Sequence, residues 1–288
     1  MRVLIVGGGG QVARALLASA PPQLQVHSPA RQELDITNPE AIAAVVGRLA
    51  PQVIINAAAY TAVDRAESEP EQAWSVNADG PKLLALAALR CGARLLHLST
   101  DFVFDGTASR PYPPDARPNP LSEYGRSKLA GERSVCEVLG ERGLVLRTSW
   151  VYAAQGRNFM LTMLRLMGAG DPIRVVADQV GTPTAAASVA EAVWTLVRHP
   201  QLQGVHHWTD AGVASWYDFA VAIAEEAAIL GLLAREPRVV PIATEDYPTP
   251  ARRPPYSVLE KRSMMGLNLA PVHWRQRLRG VLRELRGA

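Results

Sequence analysis

The sequence predicts an α/β protein, a doubly wound parallel sheet followed by a smaller C-terminal α/β lobe, on three observations. Short, wholly apolar runs alternate with Ala/Leu-rich helical stretches through the first half. A glycine cluster follows the first apolar run directly and opens a helix. Beyond Trp150 the alternation loosens, and Pro, Gly and Asp separate the helical stretches. Strands buried on both faces need no polar alternation, so such runs belong in a parallel sheet with helices on each side.

The elements follow in order. Arg2-Val-Leu-Ile-Val6 is the first strand, and a glycine turn leads from it into a helix over 12–17. A second strand ends at Val26-His-Ser28, and a helix over 40–49 precedes a strand at 53–55. A helix over 81–89 precedes the strand 95–98, and a long helix over 122–139 precedes the strand 144–146. The connection from Thr107 to Pro120 carries five prolines (Pro111, Pro113, Pro114, Pro118 and Pro120), and connections that long are usually functional or mobile. Further helices are expected over 159–167, 185–197 and 215–230. The expected division is a dinucleotide-binding domain at 1–150 and a substrate lobe at 151–288, interleaved with the first.

Composition removes several classes of function. The chain has 288 residues, with 48% hydrophobic and 20% charged, which is ordinary for a soluble globular protein. A net charge of +3 is a weak argument for nucleic acid, and the arginines over 275–286 read as the solvated face of a terminal helix. Two cysteines, Cys91 and Cys136, make neither a zinc site of usual spacing nor a disulfide scaffold. Cys91 adjoins an apolar run, so a buried thiol is expected. The N-terminus begins in a strand without a signal-peptide layout, and no apolar stretch approaches the roughly 18 residues of a membrane span. A cytoplasmic protein with no nucleic-acid or membrane partner is the expectation.

Gly7-Gly-Gly-Gly10-Gln-Val-Ala13 fits Gly-x-Gly-x-x-Ala from Gly8 and Gly-x-x-Gly-x-x-Ala from Gly7. A diphosphate requires a tight turn, bare backbone and a small residue where helix meets strand, with free N–H groups at the helix start. A glycine run alone is a weak signal, since any tight turn looks similar. The strand–turn–helix context is what makes it a Rossmann-type dinucleotide site, with Gly7, Gly10, Gln11 and Val12 against the cofactor. No acidic residue suited to a ribose 2′-hydroxyl is evident at the end of the second strand, where Ser28 and Arg31 stand instead. A hydroxyl and a guanidinium suit a 2′-phosphate, so NADPH is expected over NADH. Asp35-Ile36 follows, and either Asp35 meets the adenine edge or Asn38 simply caps the next helix.

Tyr124-Gly-Arg-Ser-Lys128 is the sharpest signal in the chain. On a helix, residues four apart share a face, so an ammonium would lie near the phenol and favour the phenolate. Such a phenol can give a proton to a carbonyl oxygen while hydride reaches carbon. A surface Tyr and Lys would share that spacing by chance. Here the pair follows a nucleotide fingerprint and a strand ending in Ser99-Thr100-Asp101, where open parallel sheets gather their chemistry. A hydroxyl there can hold the substrate oxygen, although the cluster could equally be a turn. Asn56-Ala-Ala-Ala59-Tyr60-Thr61 leaves another strand end, and its small residues permit either close cofactor approach or tight packing.

With these residues placed, the sequence resembles the extended short-chain dehydrogenase/reductase family, in its nucleotide-sugar ketoreductase branch. The shared pieces cover most of the chain: Gly10-Gln11, the run from Asn56 to Asp64, Ala66-Glu67-Ser-Glu-Pro70, Ser99-Thr-Asp-Phe-Val-Phe-Asp-Gly106, Tyr124 to Lys128, Arg147-Thr-Ser-Trp-Val-Tyr152, Asn158-Phe159, Asp178-Gln179, Gly181-Thr-Pro-Thr184, and Arg253-Pro254 with Ser257. The resemblance implies NAD(P)H-dependent reduction of the C4 ketone of dTDP-4-dehydro-6-deoxy-L-mannose to dTDP-L-rhamnose, a step toward cell-surface polysaccharide. It implies that Thr100 and Tyr124 hold the keto oxygen, with Asp101 beside them, and that Lys128 binds the nicotinamide ribose. Trp150 would pack on the sugar unless it is a core tryptophan, and Arg253 would meet the substrate diphosphate.

Some members of the family join two subunits through magnesium held by glutamates where this chain has Ala15 and Ala187. Alanine cannot coordinate a hard cation, so no metal is expected, and the chain should be a monomer or a homodimer without a metal bridge. Two other functions share the scaffold: a nucleotide-sugar epimerase or dehydratase, with Asp101 as an added acid or base, and a non-catalytic NADP-binding regulatory subunit. Retention of Thr100, Tyr124 and Lys128 together weighs against the second.

Overall fold

The computed structural model describes residues 1–288 except Asp171, Glu236 and Ala288. The first half contains strands β1 (Arg2–Val6), β2 (Gln25–His27), β3 (Val53–Asn56), β4 (Arg94–Thr100) and β5 (Gly143–Thr148). Its helices are α1 (Gln11–Ala18), α2 (Pro39–Leu49), α3 (Val63–Ala66), α4 (Pro70–Trp74), α5 (Gly80–Cys91) and α6 (Glu123–Leu139). The second half contains β6 (Val151–Tyr152), α7 (Phe159–Gly168), β7 (Ile173–Val176), β8 (Val180–Gly181), β9 (Thr184–Ala185), α8 (Ala186–Arg198), β10 (Gly204–His207), β11 (Ala214–Ser215), α9 (Trp216–Ile229), β12 (Val239–Ile242), α10 (Arg262–Met265) and α11 (Trp274–Gly287).

Six strands form one sheet in the order β10-β5-β4-β3-β1-β2, every pair parallel. The chain winds one way from β1 to β2 and the other way from β3 through β5. That reversal opens a crevice at the carboxyl ends of β1 and β3. One face of the sheet packs α1 and α8 through Val3, Ile5, Leu16, Val189 and Val193; the other packs α2, α5 and α6 through Leu4, Ile42, Val46, Leu84 and Val135. The segment from α8 to β10 thus returns from the second half to the first sheet. The rest of that half has its own core, in which Met160, Met163, Phe219, Ile223 and Leu278 meet.

Local chemistry sets the element ends. Asn38 caps α2, its Oδ1 accepting from the N–H groups of Glu40 at 2.9 Å and Ala41 at 3.1 Å. Between α4 and α5 the helix widens into a π turn at Ser75–Asp79. Gly131 of α6 lies on that turn, where a Cβ would stand 2.1 Å from Asn77 O. The proline-rich connection is tied down rather than loose: Asp105 accepts from Thr107, Tyr112 and Asn119, and Tyr112 exchanges backbone bonds with Val258 and Glu260. These donors hold the Asp105 carboxyl down at about 2.

Two sequence expectations are corrected. Cys91 is exposed, because it is the last residue of α5, where the helix ends at Gly92. The α11 arginines are not merely solvated: Arg275 pairs with Glu225 and Glu226, Arg277 with Glu191, and Arg279 with Glu226. They pin α11 to α8 and α9. No helix among the described residues is long and apolar enough to cross a membrane.

Candidate active site

The glycine turn leaves β1 with Gly7 at φ +89°, and a Cβ there would stand 2.6 Å from Ala58 N. Only glycine permits both the conformation and the approach. Gly7, Gly8, Gly9 and Gly10 line a groove of about 280 Å³ together with Ala57, Ala58, Ala59, Tyr60, Arg31, Asp35 and Ile36. Ser28 Oγ lies beneath Gly8, buried and without a hydrogen-bond partner. Bare backbone, an orphan hydroxyl and an exposed guanidinium fit a phosphorylated dinucleotide. Arg31 is 75% exposed and spans 3.3 Å to Asp35, whose carboxylate also accepts from Thr37 and is held below its ordinary range mainly by that residue.

Other expected cofactor residues sit differently. Gln11 turns away from the groove to Asn158 and Arg157, and Val12 packs toward the core beside α8. Thr61 is exposed. Tyr60 gives its hydroxyl to Glu69 at 2.7 Å, while its backbone is clamped on both sides by Asn77.

Tyr124 and Lys128 lie one turn apart on the buried face of α6. Gly125 between them lets the helix touch the turn after β4, since a Cβ there would stand 2.3 Å from Phe102 O. The phenol packs edge-on to Phe102 at 5.6 Å. Lys128 is only 2% exposed, and its Nζ donates to Leu98 O at 2.7 Å. Thr100 ends β4, its hydroxyl donating to Asp101 Oδ1 at 3.1 Å and accepting from Phe102 N. Asn77 links the two halves of the site, because the side chain that holds Tyr60 also donates to Ser127 of α6 at 3.1 Å.

The electrostatics correct one expectation. The ammonium does not acidify the phenol here; burial pushes Tyr124 up to about 12, with Asp101 raising it further and Thr100 opposing. Burial also lowers Lys128 to about 8, and its head is turned to Leu98 and His97. Tyr124 is therefore fully protonated at neutral pH. Burial likewise raises Asp101 to about 6, although the nearby Ser257 and Thr100 hydroxyls oppose the rise. Asp101 Oδ2 and the hydroxyls of Ser99 and Thr148 are buried without partners at the ends of β4 and β5.

Trp150, at φ +48°, stacks on Trp216 with centroids 3.5 Å apart, and Gly181 leaves the ring its room. Arg253 is held by Asp64, Thr249 and Ala251 O. Among the described residues, no group of three or more His, Cys, Asp or Glu side chains could hold a metal ion. Ala15 and Ala187 line a separate depression with Gln11, Arg14 and Gln155. Sequence reasoning missed Asn77 and His97. A histidine inside an otherwise apolar strand was the available signal for His97; Asn77 stands in a mixed polar segment, between Ser75-Val76 and Ala78-Asp79, that gave none.

The family model described as RmlD substrate binding domain matches residues 1–286. A dTDP-4-dehydrorhamnose reductase of Burkholderia thailandensis is 43% identical over 298 residues, covering 99% of each chain. Among solved structures, a dTDP-4-dehydrorhamnose reductase from Clostridium acetobutylicum superposes with a TM-score of 0.92 at 38% identity, covering 99% of this chain and 100% of that one. Another from Bacillus anthracis, in complex with NADP, gives 0.92 at 35% identity, covering 98% and 99%.

Proposed function

We propose that this chain, which belongs to the dTDP-4-dehydrorhamnose reductase family of extended short-chain dehydrogenases/reductases, reduces the C4 ketone of dTDP-4-dehydro-6-deoxy-L-mannose to dTDP-L-rhamnose with NADPH. The observation that carries the reading is the Asn77 link, which joins the wall of the dinucleotide groove at Tyr60 to the helix bearing Tyr124 and Lys128. Tyr60 of that wall also packs in one cluster with Tyr124, which supports a groove and a proton donor that share one crevice. The homologues are oxidoreductases, and one solved relative holds NADP.

The dihydronicotinamide supplies a hydride when bound. In our reading Gly7, Gly10, Ala59, Tyr60 and the α1 N-terminus receive the diphosphate and its flanks, and Ser28 with Arg31 receives the 2′-phosphate. Thr100 and Tyr124 hold the keto oxygen, with Asp101 keeping the Thr100 hydroxyl oriented. As C4 gains a hydride its oxygen gains negative charge, and the neutral phenol of Tyr124 gives it a proton. Ketone, hydride and proton sum to the alcohol. Lys128 orients the ribose. Trp150 and Arg253 are assigned to the sugar and the diphosphate.

Residues 1–150 serve the dinucleotide in this reading and 151–288 the sugar nucleotide, with α8 and β10 completing the first unit. With alanine at 15 and 187, any dimer lacks a metal bridge. We place the protein in the cytoplasm, a reading supported by two free thiols and a biosynthetic family. The test is NADPH oxidation with a panel of nucleotide-linked 4-keto-6-deoxy sugars. Stoichiometric NADPH loss with the dTDP sugar is expected; turnover without net NADPH loss, as an epimerase or dehydratase would give, sinks the reading.

A further inference from the structure

We propose that Asn56 and His97 are positioning residues for Lys128: together they fix a ring tautomer that presents an N–H to the lysine and favours its amine over its ammonium. The inference deepens the reading of Lys128 above and rests on it for its role in turnover.

Asn56 is fully buried, and its Oδ1 accepts from Ala58 N at 3.1 Å. A backbone N–H can only donate, so the amide orientation is fixed and Nδ2 is the atom facing His97 Nδ1 at 3.0 Å. Nδ2 can only donate as well, so Nδ1 must offer a lone pair. Burial, with help from Lys128, holds His97 well below its ordinary range, and the ring is neutral. Its one proton therefore sits on Nε2, which stands 3.4 Å from Lys128 Nζ.

An ammonium has no lone pair, so the charged lysine would set N–H against N–H. An amine accepts from Nε2–H and still donates to Leu98 O at 2.7 Å. The titratable and charged groups around Lys128 are Tyr124 and Glu132 on its own helix, Asp101 after β4, His97 on β4, and Arg147 of β5, which neutralises Glu132 in a buried pair. Glu132 pulls toward the ammonium, and the buried His97 N–H pulls the other way. A lysine balanced so can change its charge while Nζ keeps its bond to Leu98 O. Because Asn56 also holds Ala58 beside Gly7, the same side chain ties that balance to the wall of the dinucleotide groove.

The test uses the full chain and no turnover. Long-range proton–nitrogen NMR on protein with ¹⁵N-labelled histidine reads which ring nitrogen is protonated, and a His97→Gln variant identifies the signal. Nε2–H throughout the neutral range is expected; Nδ1–H, or a charged ring, overturns the proposal. In Asn56→Asp the carboxylate accepts from Nδ1–H, so the tautomer should switch and the Lys128 titration, read by NMR of labelled lysine, should rise by about one pH unit or more. An added charge acting alone would raise Lys128 with Nε2–H retained, and that outcome also overturns it. Should Asn56→Asp fail to fold, the wild-type tautomer decides. Failure of the reductase reading would show in the NADPH assay and leave these signals untouched.

Discussion

Arg253 and Asp64 form a two-bonded ion pair, Nη1 to Oδ1 at 2.9 Å and Nη2 to Oδ2 at 2.8 Å, that joins the C-terminal segment to α3. The pair holds the Asp64 carboxyl below its ordinary range and leaves the guanidinium partly exposed. A substrate diphosphate would share an arginine already oriented. Arg253→Met should raise the KM for the sugar nucleotide by about tenfold or more, the scale of one charge-assisted contact, with the KM for NADPH nearly unchanged. Equal changes in both constants would remove Arg253 from the substrate's side of the site.

Tyr124→Phe keeps the edge-on packing with Phe102 and deletes only the hydroxyl. Turnover should fall by about two to four orders of magnitude, as expected for loss of a general acid. Direct titration should find NADPH affinity within about threefold of wild type, because only transition-state stabilisation is lost. A variant that kept most of its kcat would show that another group donates.

Asp101 gives a pH-dependent stability with a definite sign. Its carboxyl is raised from the ordinary value to about 6, so the fold prefers the neutral acid. Its contribution is fully present below about pH 4 and is lost as pH rises through about 6, a swing of roughly 3 kcal/mol. Asp101→Asn cannot ionise. Thermal melts should show the variant gaining on wild type between pH 4 and pH 7; a constant difference across that range would refute the assignment.

Glu132 and Arg147 are each 3% exposed and meet in a bidentate pair beneath the site. Removing one partner strands a buried charge. Glu132→Ala should cost about 3–5 kcal/mol, seen as a lower midpoint in urea, whereas replacing both by apolar residues should cost less. A double variant as unstable as the sum of the singles would contradict this.

Arg31 stands free enough at the end of the groove to meet a 2′-phosphate. Arg31→Ala should weaken NADPH by about tenfold and leave NADH nearly untouched, measured as kcat/KM for each. With the guanidinium gone, the Asp35 carboxylate beside it should repel a 2′-phosphate and so add to the loss of NADPH, not of NADH.

The order of strands and helices was legible because burial on two faces writes itself as apolar runs, as in Val3 to Val6 and, broken only by His97, in Leu95 to Leu98. The glycine turn and the Tyr124–Lys128 spacing were legible for a similar reason: each is a constraint between neighbours in sequence, set by φ at Gly7 and by one helical turn in α6. The state of the phenol was not. Spacing put an ammonium near it, but burial and the direction of Lys128 Nζ decided the charge, and those depend on β4 and on His97. The exposure of Cys91 and the pairing of the α11 arginines were equally hidden, since both depend on which face of a helix meets which neighbour.

The sequence by itself determined the sheet, the glycine turn, the one-turn spacing of Tyr124 and Lys128 and, through ordered motifs along nearly the whole chain, the family. Only the tertiary structure decided that Asn77 joins Tyr60 to Ser127 of α6, that Arg253 is pre-paired with Asp64, and that a buried histidine faces the lysine. The physical reason is range. Backbone conformation and hydrophobic period are set among adjacent residues, whereas desolvation and hydrogen-bond partnership are set by atoms that meet only after the chain has folded.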